Sequence, residues 1–203
     1  MKSTLITTIF LLLAFSSCQE SESPSEQLII SAEERQTLLF TREEEKLAHD
    51  VYVYAFDKYG LNVFQNIANS ESSHVLSVLS VMETYQIQDP LSGSTTLGEF
   101  TDPILIDLYS ELIRRVDLSL NESFLVGLFI EDLYISDLEN AISETDKLNI
   151  SALYANLECG SKNHMRAFYD QATANGITYT PEFISQSEYS SIINSPKTGC
   201  NAN

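Results

Sequence analysis

The stretch NSESSHVLSVLSV, residues 69–81, sets a carboxylate and an imidazole among apolar residues that recur at helical spacing. Glu71 and His74 lie three residues apart, so both side chains project from one face of the predicted helix. The apolar residues that continue this face are Val75, Val78 and Met82. An isolated E-x-x-H pair occurs often by chance. The pair therefore indicates a metal site only if other helices supply further ligands to it.

In the rest of the chain, the same periodicity predicts four long amphipathic helices and one short helix. Ser31 and Glu34 form a capping box at the start of the first helix, and Gly60 ends it. A turn-rich connection separates the second and third long helices, and Pro103 begins the short helix within it. The predicted spans are 32–59, 62–85, 103–116, 120–145 and 150–175, followed by a short turn of helix near Ser187. The sequence thus predicts an all-α four-helix bundle with a long crossover that contains an extra short helix.

Polar residues interrupt the apolar row of each long helix. They are Glu44 or Glu45 in the first, Glu71 and His74 in the second, Glu131 in the third and His164 in the fourth. Burying so many unpaired charged groups is costly, and a shared cation would offset that cost. Carboxylates with imidazoles suit iron, manganese or zinc. The alternatives are a surface acid at Glu131, a hydrogen-bonded core histidine at His164, and a solvated face for the charge run Glu43–Glu45.

The N-terminal segment predicts export. Residues 1–17 hold Lys2, an apolar run and two serines before Cys18, which is typical of a lipoprotein signal peptide. A plain cleaved signal is the alternative. Residues 18–30 form a polar flexible tether, residues 31–189 the helical bundle, and residues 190–203 a C-terminal tail. We therefore expect the protein in the bacterial cell envelope, lipid-anchored through Cys18 and either periplasmic or surface-exposed.

Charge and cysteine content limit the function classes. A net charge of −18 argues against nucleic acid or anionic lipid as a binding partner, because both need a positive protein surface. With Cys18 lipidated, Cys159 and Cys200 remain in an oxidising compartment. No CxxC motif is present, so a disulfide that holds the C-terminal tail to a helix is a better interpretation than redox catalysis.

Two motifs carry a resemblance to a known superfamily. EKLAHDVY, from Glu45 to Tyr52, followed by ESSH, from Glu71 to His74, resembles the first two ligand helices of ferritins, bacterioferritins and rubrerythrins. More narrowly, residues 31–189 resemble a bacterial and archaeal ferritin-like family classified as a domain of unknown function. The segments that carry this second resemblance are TREEEKLAHDVY, VFQNIANSESSH, EDLYISDLENAI and GSKNHMRAFYD.

The ferritin-like resemblance implies a ligand set and a fold. It selects Glu45 over Glu44 in the first helix, and implies Glu71, His74, Glu131 and His164 as the other metal ligands. In the last helix, ferritin-like di-iron proteins often repeat E-x-x-H, whereas this chain has Ser161 in place of the carboxylate. Glu158 lies one turn earlier on a neighbouring row. A single-metal or asymmetric site is therefore the alternative to a complete di-iron site.

Two functions from different classes follow from the resemblance. The first is an iron- or manganese-dependent oxidoreductase, a ferroxidase or a peroxide-handling enzyme, with one or two ions and with zinc less suited. Tyr52 would either donate a hydrogen bond to a ligand or simply pack in the core. The second is a non-catalytic lipid-anchored bundle that binds a structural metal, a protein or a small ligand. Under either function the expected partners are the membrane, through the anchor, and a metal ion; a homodimer is compatible with both.

Overall fold

A computed structural model describes residues 29–200, and this part of the chain contains six α-helices and no strand. The all-helical prediction is confirmed. Each long helix begins and ends within two residues of its predicted bounds. The helices are α1 (Ala32–Tyr59), α2 (Asn62–Thr84), α3 (Pro103–Leu118), α4 (Leu120–Glu144), α5 (Leu148–Ala174) and α6 (Gln186–Ile193).

Local signals set the ends of the helices. At the start of α1, the Glu34 amide donates to the Ser31 hydroxyl and the Ser31 amide donates to the Glu34 carboxylate, as the capping box predicts. Gly60 ends α1 with a left-handed φ of 67°, which glycine adopts without steric cost. Asp102 and Ser119 cap α3 and α4 by accepting from the amides of Ile104 and Glu122.

The four long helices pack as two pairs. α1 lies against α2, and α4 lies against α5, while contacts of α2 with α5 and of α1 with α4 join the pairs. α3 covers α1 and α4, and α6 packs on α5. The buried apolar residues form two clusters, one around Phe64, Phe124 and Phe168 and the other around Leu38, Val78 and Leu157. On α1, α2 and α5, the residues of the two apolar clusters are separated along each helix by polar residues predicted as ligands. These are Glu45, Glu71, His74 and His164.

The charge run in α1 is buried, which excludes the alternative of a solvated face for Glu43–Glu45. Residues 85–102, which connect α2 to α3, lie over this part of the helix and pair with its charges. Glu43 accepts hydrogen bonds from the amide of Thr101 (2.6 Å) and from its hydroxyl. Arg42 donates to both carboxylate oxygens of Asp89, at 3.1 and 3.2 Å. Buried charges persist when they are paired in this way, and the pairing partners here come from a distant segment.

Several predictions fall on residues 1–28, outside the part that the structure describes. They are the signal peptide, the lipidation of Cys18 and most of the tether, and they stay predictions. Among residues 29–200, no helix is long and apolar enough to cross a membrane.

A disulfide joins Cys159 of α5 to Cys200, with an S–S distance of 2.15 Å and a sequence separation of 41. This is the pair that the cysteine content suggested. Asn163 supports the tail beside it by donating to the Thr198 carbonyl at 2.9 Å. The structure therefore fixes the tail to α5 beyond the end of α6.

Replacing both cysteines by serine is expected to lower the free energy of unfolding by about 2–4 kcal/mol. The bond removes conformational freedom from the unfolded chain, and a loop of this length is in the range where that effect is large. Urea unfolding of the oxidised protein and of the double variant measures the difference. A reducing agent should shift the midpoint of the wild type alone. Equal midpoints for the two oxidised proteins would show that the bond does not stabilise the fold.

Candidate metal centre

The five residues predicted as ligands meet in the interior of the described chain. α1 supplies Glu45, α2 supplies Glu71 and His74, α4 supplies Glu131, and α5 supplies His164. All five are buried, and the three carboxylates are at most 2% exposed. This excludes a surface acid at Glu131. Their ligand atoms form two groups, and within each group the atoms lie no more than 4.8 Å apart.

The first group consists of Glu45, Glu71 and His74. His74 Nδ1 lies 2.7 Å from Glu71 Oε2 and 3.1 Å from Glu45 Oε2. The E-x-x-H spacing places the two α2 residues one above the other, and α1 packs against this face of α2. Two carboxylates and one imidazole therefore converge on a single point between two helices.

The second group consists of Glu71, Glu131 and His164. His164 Nδ1 lies 2.9 Å from Glu71 Oε1 and 3.7 Å from Glu131 Oε2. Glu71 thus belongs to both groups and turns one carboxylate oxygen toward each histidine. The two imidazole rings face each other with centroids 5.5 Å apart. This is the arrangement that a carboxylate bridging two cations requires.

Burial and neighbouring charges shift the pKa values of the cluster residues. Burial disfavours the charged form of His74, but Glu45 and Glu71 outweigh this effect and raise the pKa of His74 to about 11. In the same way, Glu71 and Glu131 raise the pKa of His164 to about 10. Burial raises the pKa of Glu45 to about 7, against the opposing effect of His74. Burial also disfavours the charge of Glu71, but the two histidines hold its pKa below the ordinary range.

Two buried polar atoms of the cluster lack a hydrogen-bond partner of good geometry. Within residues 29–200, Glu131 Oε2 and His164 Nδ1 have no hydrogen-bond partner although both atoms are buried. The contact of His164 Nδ1 with Glu71 is short but lacks the alignment of a hydrogen bond. Buried polar atoms without partners are rare and costly. A cation held by Glu71, Glu131 and His164 would give both atoms a partner, so the donor set fits iron or manganese.

Further side chains orient the candidate ligands. The Tyr52 hydroxyl donates to Glu131 Oε1 at 2.6 Å, so this tyrosine both packs in the core and orients a candidate ligand. His164 Nε2 lies 3.0 Å from the Ser70 hydroxyl, which leaves Nδ1 directed at the carboxylates. Hydrogen bonds of this kind fix the orientation of metal ligands. Ser70 was not identified from the sequence, although it directly precedes Glu71.

The last of the long helices, α5, contributes no carboxylate to either group. Ser161 is buried one turn before His164, where ferritin-like proteins often carry the acid. Glu158 forms an ion pair with Lys162 instead, so it does not replace the missing ligand. Each group therefore offers two carboxylates and one histidine. Three protein ligands leave coordination positions for water or a substrate.

Gly160 lies against the His74 ring, and the sequence pattern did not identify it as part of the site. A Cβ atom at this position would lie 2.5 Å from His74 Cε1 and 2.7 Å from His74 Nε2, closer than carbon and nitrogen atoms pack. The bare backbone of α5 thus provides the space in which the His74 ring lies. The only signal in the sequence was a glycine in the middle of a predicted helix, which usually has a packing reason.

The Gly160→Ala variant is expected to bind metal about 10- to 100-fold more weakly, because the methyl group displaces His74 from the carboxylates. Losses of this size are typical when the residues that orient metal ligands are changed. Titration with Mn²⁺ measures the affinity. Gly199→Ala is the control, since a Cβ there meets nothing within 4 Å. Unchanged affinity in Gly160→Ala would show that the position of the His74 ring does not matter for binding.

Comparisons with known proteins place the chain in a family. The family described as "Uncharacterized protein domain (DUF2202)" matches residues 34–196, and the chain belongs to it. An uncharacterized protein of Methanocaldococcus jannaschii, MJ0754, is 45% identical over 166 residues, which are 82% of this chain and 89% of that protein. The crystal structure of hypothetical protein MJ0754 from Methanococcus jannaschii matches with a TM-score of 0.82 and 44% identity. The match covers 84% of this chain and 97% of that one.

Proposed function

We propose that this member of the family is a ferritin-like four-helix bundle. The pairing of α1 with α2 and of α4 with α5 supports this proposal, as does the long connection that carries α3 between the pairs. In such bundles, metal sites are built in the core from side chains on facing helices. The buried cluster lies in the corresponding place, with a ligand from each of the four long helices.

We further propose that the cluster binds two iron or manganese ions. Glu45, Glu71 and His74 would hold one ion, and Glu71, Glu131 and His164 the other. The observation that carries this proposal is that Glu71 directs one oxygen to each histidine. Despite Ser161, both groups retain three ligands, so the proposed site has two ions rather than one. Three carboxylates also offset most of the charge of two divalent cations.

The proposed activity is oxidation of the bound metal, or of a small reductant, by dioxygen or peroxide. Iron or manganese would supply the redox couple. The chain holds the reacting region dry, because all five ligands are buried. Burial, followed by the charge of Glu131, raises the pKa of the Tyr52 hydroxyl well above its ordinary value. Tyr52 therefore stays protonated and continues to donate its hydrogen bond to Glu131.

A non-catalytic bundle is the second candidate. The observation in its favour is that Glu71 forms ion pairs with both histidines, so two protonated imidazoles can partly balance the carboxylates without a metal. The unpartnered atoms of Glu131 and His164 weigh against a cluster held by protons alone.

We propose that the protein lies in the cell envelope, anchored through a lipid on Cys18, on the basis of the N-terminal sequence pattern.

Loading with Fe²⁺ under anaerobic conditions, followed by exposure to oxygen or peroxide, tests the activity. We expect an absorbance change from Fe³⁺ that is faster than in buffer and is lost in the His74→Ala/His164→Ala variant. His49→Ala is the matched control, because His49 is the third histidine of the chain and pairs with Asp50 outside the cluster. Bound iron that does not oxidise faster than free iron would favour the non-catalytic function.

Metal affinity is expected to rise with pH between about pH 6 and pH 8. His74 and His164 have raised pKa values, so both carry a proton in the metal-free protein throughout this range. A metal binds the neutral imidazole, and each ion must therefore displace at least one proton. Lower pH favours the protonated form and weakens binding by up to about tenfold per pH unit for each proton released. Mn²⁺ titration across this range, with proton release measured in weak buffer, checks the sign; affinity independent of pH would contradict it.

A further inference from the structure

A cavity of about 390 Å³ lies between α1 and α4, on a different side of α1 from the buried Glu/His cluster. It is partly open to solvent, and one end of each helix contributes to its wall. The side chains that matter for its chemistry are those of Glu44 and Thr41 on α1 and of Asp137, Asn140 and Glu144 on α4.

The wall of the cavity is acidic and has no basic counterpart. Glu44, Asp137 and Glu144 line it, and no Lys or Arg does. Within residues 29–200, Glu44 and Asp137 form no ion pair with a basic side chain. By contrast, Asp89 pairs with Arg42, Asp50 pairs with Lys46, and Glu43 accepts from the Thr101 amide. The amide oxygen of Asn140 adds a neutral oxygen ligand to this set.

Glu44 provides an independent sign that something is bound here. Its side chain is only 5% exposed, and its Oε1 has no hydrogen-bond partner in the described part of the chain. A buried carboxylate oxygen without a donor is costly. Glu44 faces the cavity beside Asp137, with which it can share one proton. When both carboxylates are charged neither can donate, and the missing partner would have to come from the cavity itself.

We propose that this cavity binds a hydrated divalent cation through Glu44 and Asp137. Carboxylate and amide oxygens without histidine are the ligands of hard cations such as Mn²⁺, Fe²⁺, Mg²⁺ and Ca²⁺. A cation with six waters needs about 180 Å³, at about 30 Å³ for each water, and the cavity is large enough to hold it. The bound cation would give Glu44 Oε1 a partner, either directly or through a water of its shell.

The site is separate from the buried cluster but close to it. Glu44 directly precedes Glu45, and the Tyr134 hydroxyl donates to the Glu44 carbonyl. No residue of the cluster lines the cavity. The two sites therefore differ in chemistry, with oxygen ligands alone in the outer site and with histidines in the inner one. Binding at the outer site does not depend on the proposed function of the cluster.

Mn²⁺ titration followed by electron paramagnetic resonance tests the outer site, because the signal of free Mn²⁺ falls as ions bind. The titration is made in a Glu71→Ala background to remove binding at the cluster. We expect one ion per chain in this background, and affinity at least tenfold weaker after adding Glu44→Gln or Asp137→Asn. Glu139→Gln is the matched control, since Glu139 is on α4 but does not line the cavity.

The outcomes separate the two sites. No bound ion in the Glu71→Ala background, or an ion whose affinity neither Glu44→Gln nor Asp137→Asn lowers, would overturn the outer site. Equal numbers of ions in wild type and Glu71→Ala would instead count against the inner one. Asp137 is partly exposed, so Asp137→Asn decides the question even if Glu44→Gln disturbs the fold. Circular dichroism of each variant establishes that it is folded.

Discussion

The Glu71→Ala variant is expected to lose both ions from the buried cluster, although only one side chain is removed. Glu71 is the only residue that belongs to both ligand groups. Without it, each ion would keep only one carboxylate and one histidine. Loss of residues that merely orient metal ligands already weakens binding by about 10- to 100-fold, and loss of a shared ligand should exceed this at both positions. All proteins are compared in an Asp137→Asn background, which removes binding at the outer site, and there we expect less than about one tenth of the metal content of the parent after loading and desalting.

The comparison with two other variants makes this prediction specific. Glu71→Gln keeps the size of the side chain but removes its charge, so it should also lose most of the metal. Glu83→Ala removes an exposed acid from the same helix, and its metal content should equal that of the wild type. Elemental analysis of the four proteins provides the numbers. Retention of one tightly bound ion in Glu71→Ala/Asp137→Asn, where the outer site is removed, would show that the groups bind metal independently and that Glu71 is not a bridge.

The Asp132→Ala variant is expected to lower the free energy of unfolding by roughly 4 kcal/mol. Asp132 is fully buried on α4, and its carboxylate accepts four hydrogen bonds from the segment before α6. The donors are the Tyr179 hydroxyl at 2.8 Å and the amides of Glu182, Phe183 and Ile184 at 2.6, 3.2 and 2.9 Å. Each buried donor left without a partner costs about 1–3 kcal/mol, and part of this cost is recovered when the segment moves into water.

Denaturant unfolding and hydrogen exchange of the amides at 182–184 measure the effect of Asp132→Ala. We expect the exchange to be faster there than in α1 or α2, because the segment loses its contact with α4. Asp132→Asn should be intermediate, since an amide oxygen can still accept some of these bonds. Asp170→Ala, an exposed acid on α5, is the control. A loss of less than about 1 kcal/mol in Asp132→Ala would mean that the hydrogen bonds contribute little to stability.

The helices and the five cluster residues could be predicted because their signals are local. Apolar periodicity places Glu71, His74 and His164 on inward faces, and caps such as Ser31 and Gly60 mark the helix ends. The choice of Glu45 over Glu44 came from the resemblance to ferritin-like proteins. The apolar periodicity of α1 could not distinguish the two residues, since both are buried in the structure.

Other features depend on segments that are distant in sequence, and no local pattern encodes them. Glu43 is buried only because Thr101 and Asp102 lie over it, and a run of three glutamates gives no sign of that cover. Asp132 looks like an ordinary helix acid beside Glu131, and its four donors lie about 50 residues further along the chain. Gly160 matters through the ring of His74, which is on another helix.

Anomalous diffraction from crystals loaded with Fe²⁺ or Mn²⁺ tests the proposed metal centre most directly. We predict two peaks inside the bundle, one among Glu45, Glu71 and His74 and the other among Glu71, Glu131 and His164, with Glu71 contacting both. Data collected on either side of the metal absorption edge identify the element. The absence of a peak at both positions in crystals soaked with excess metal would contradict the proposed metal centre. The cluster would then be a network of ion pairs between carboxylates and protonated histidines.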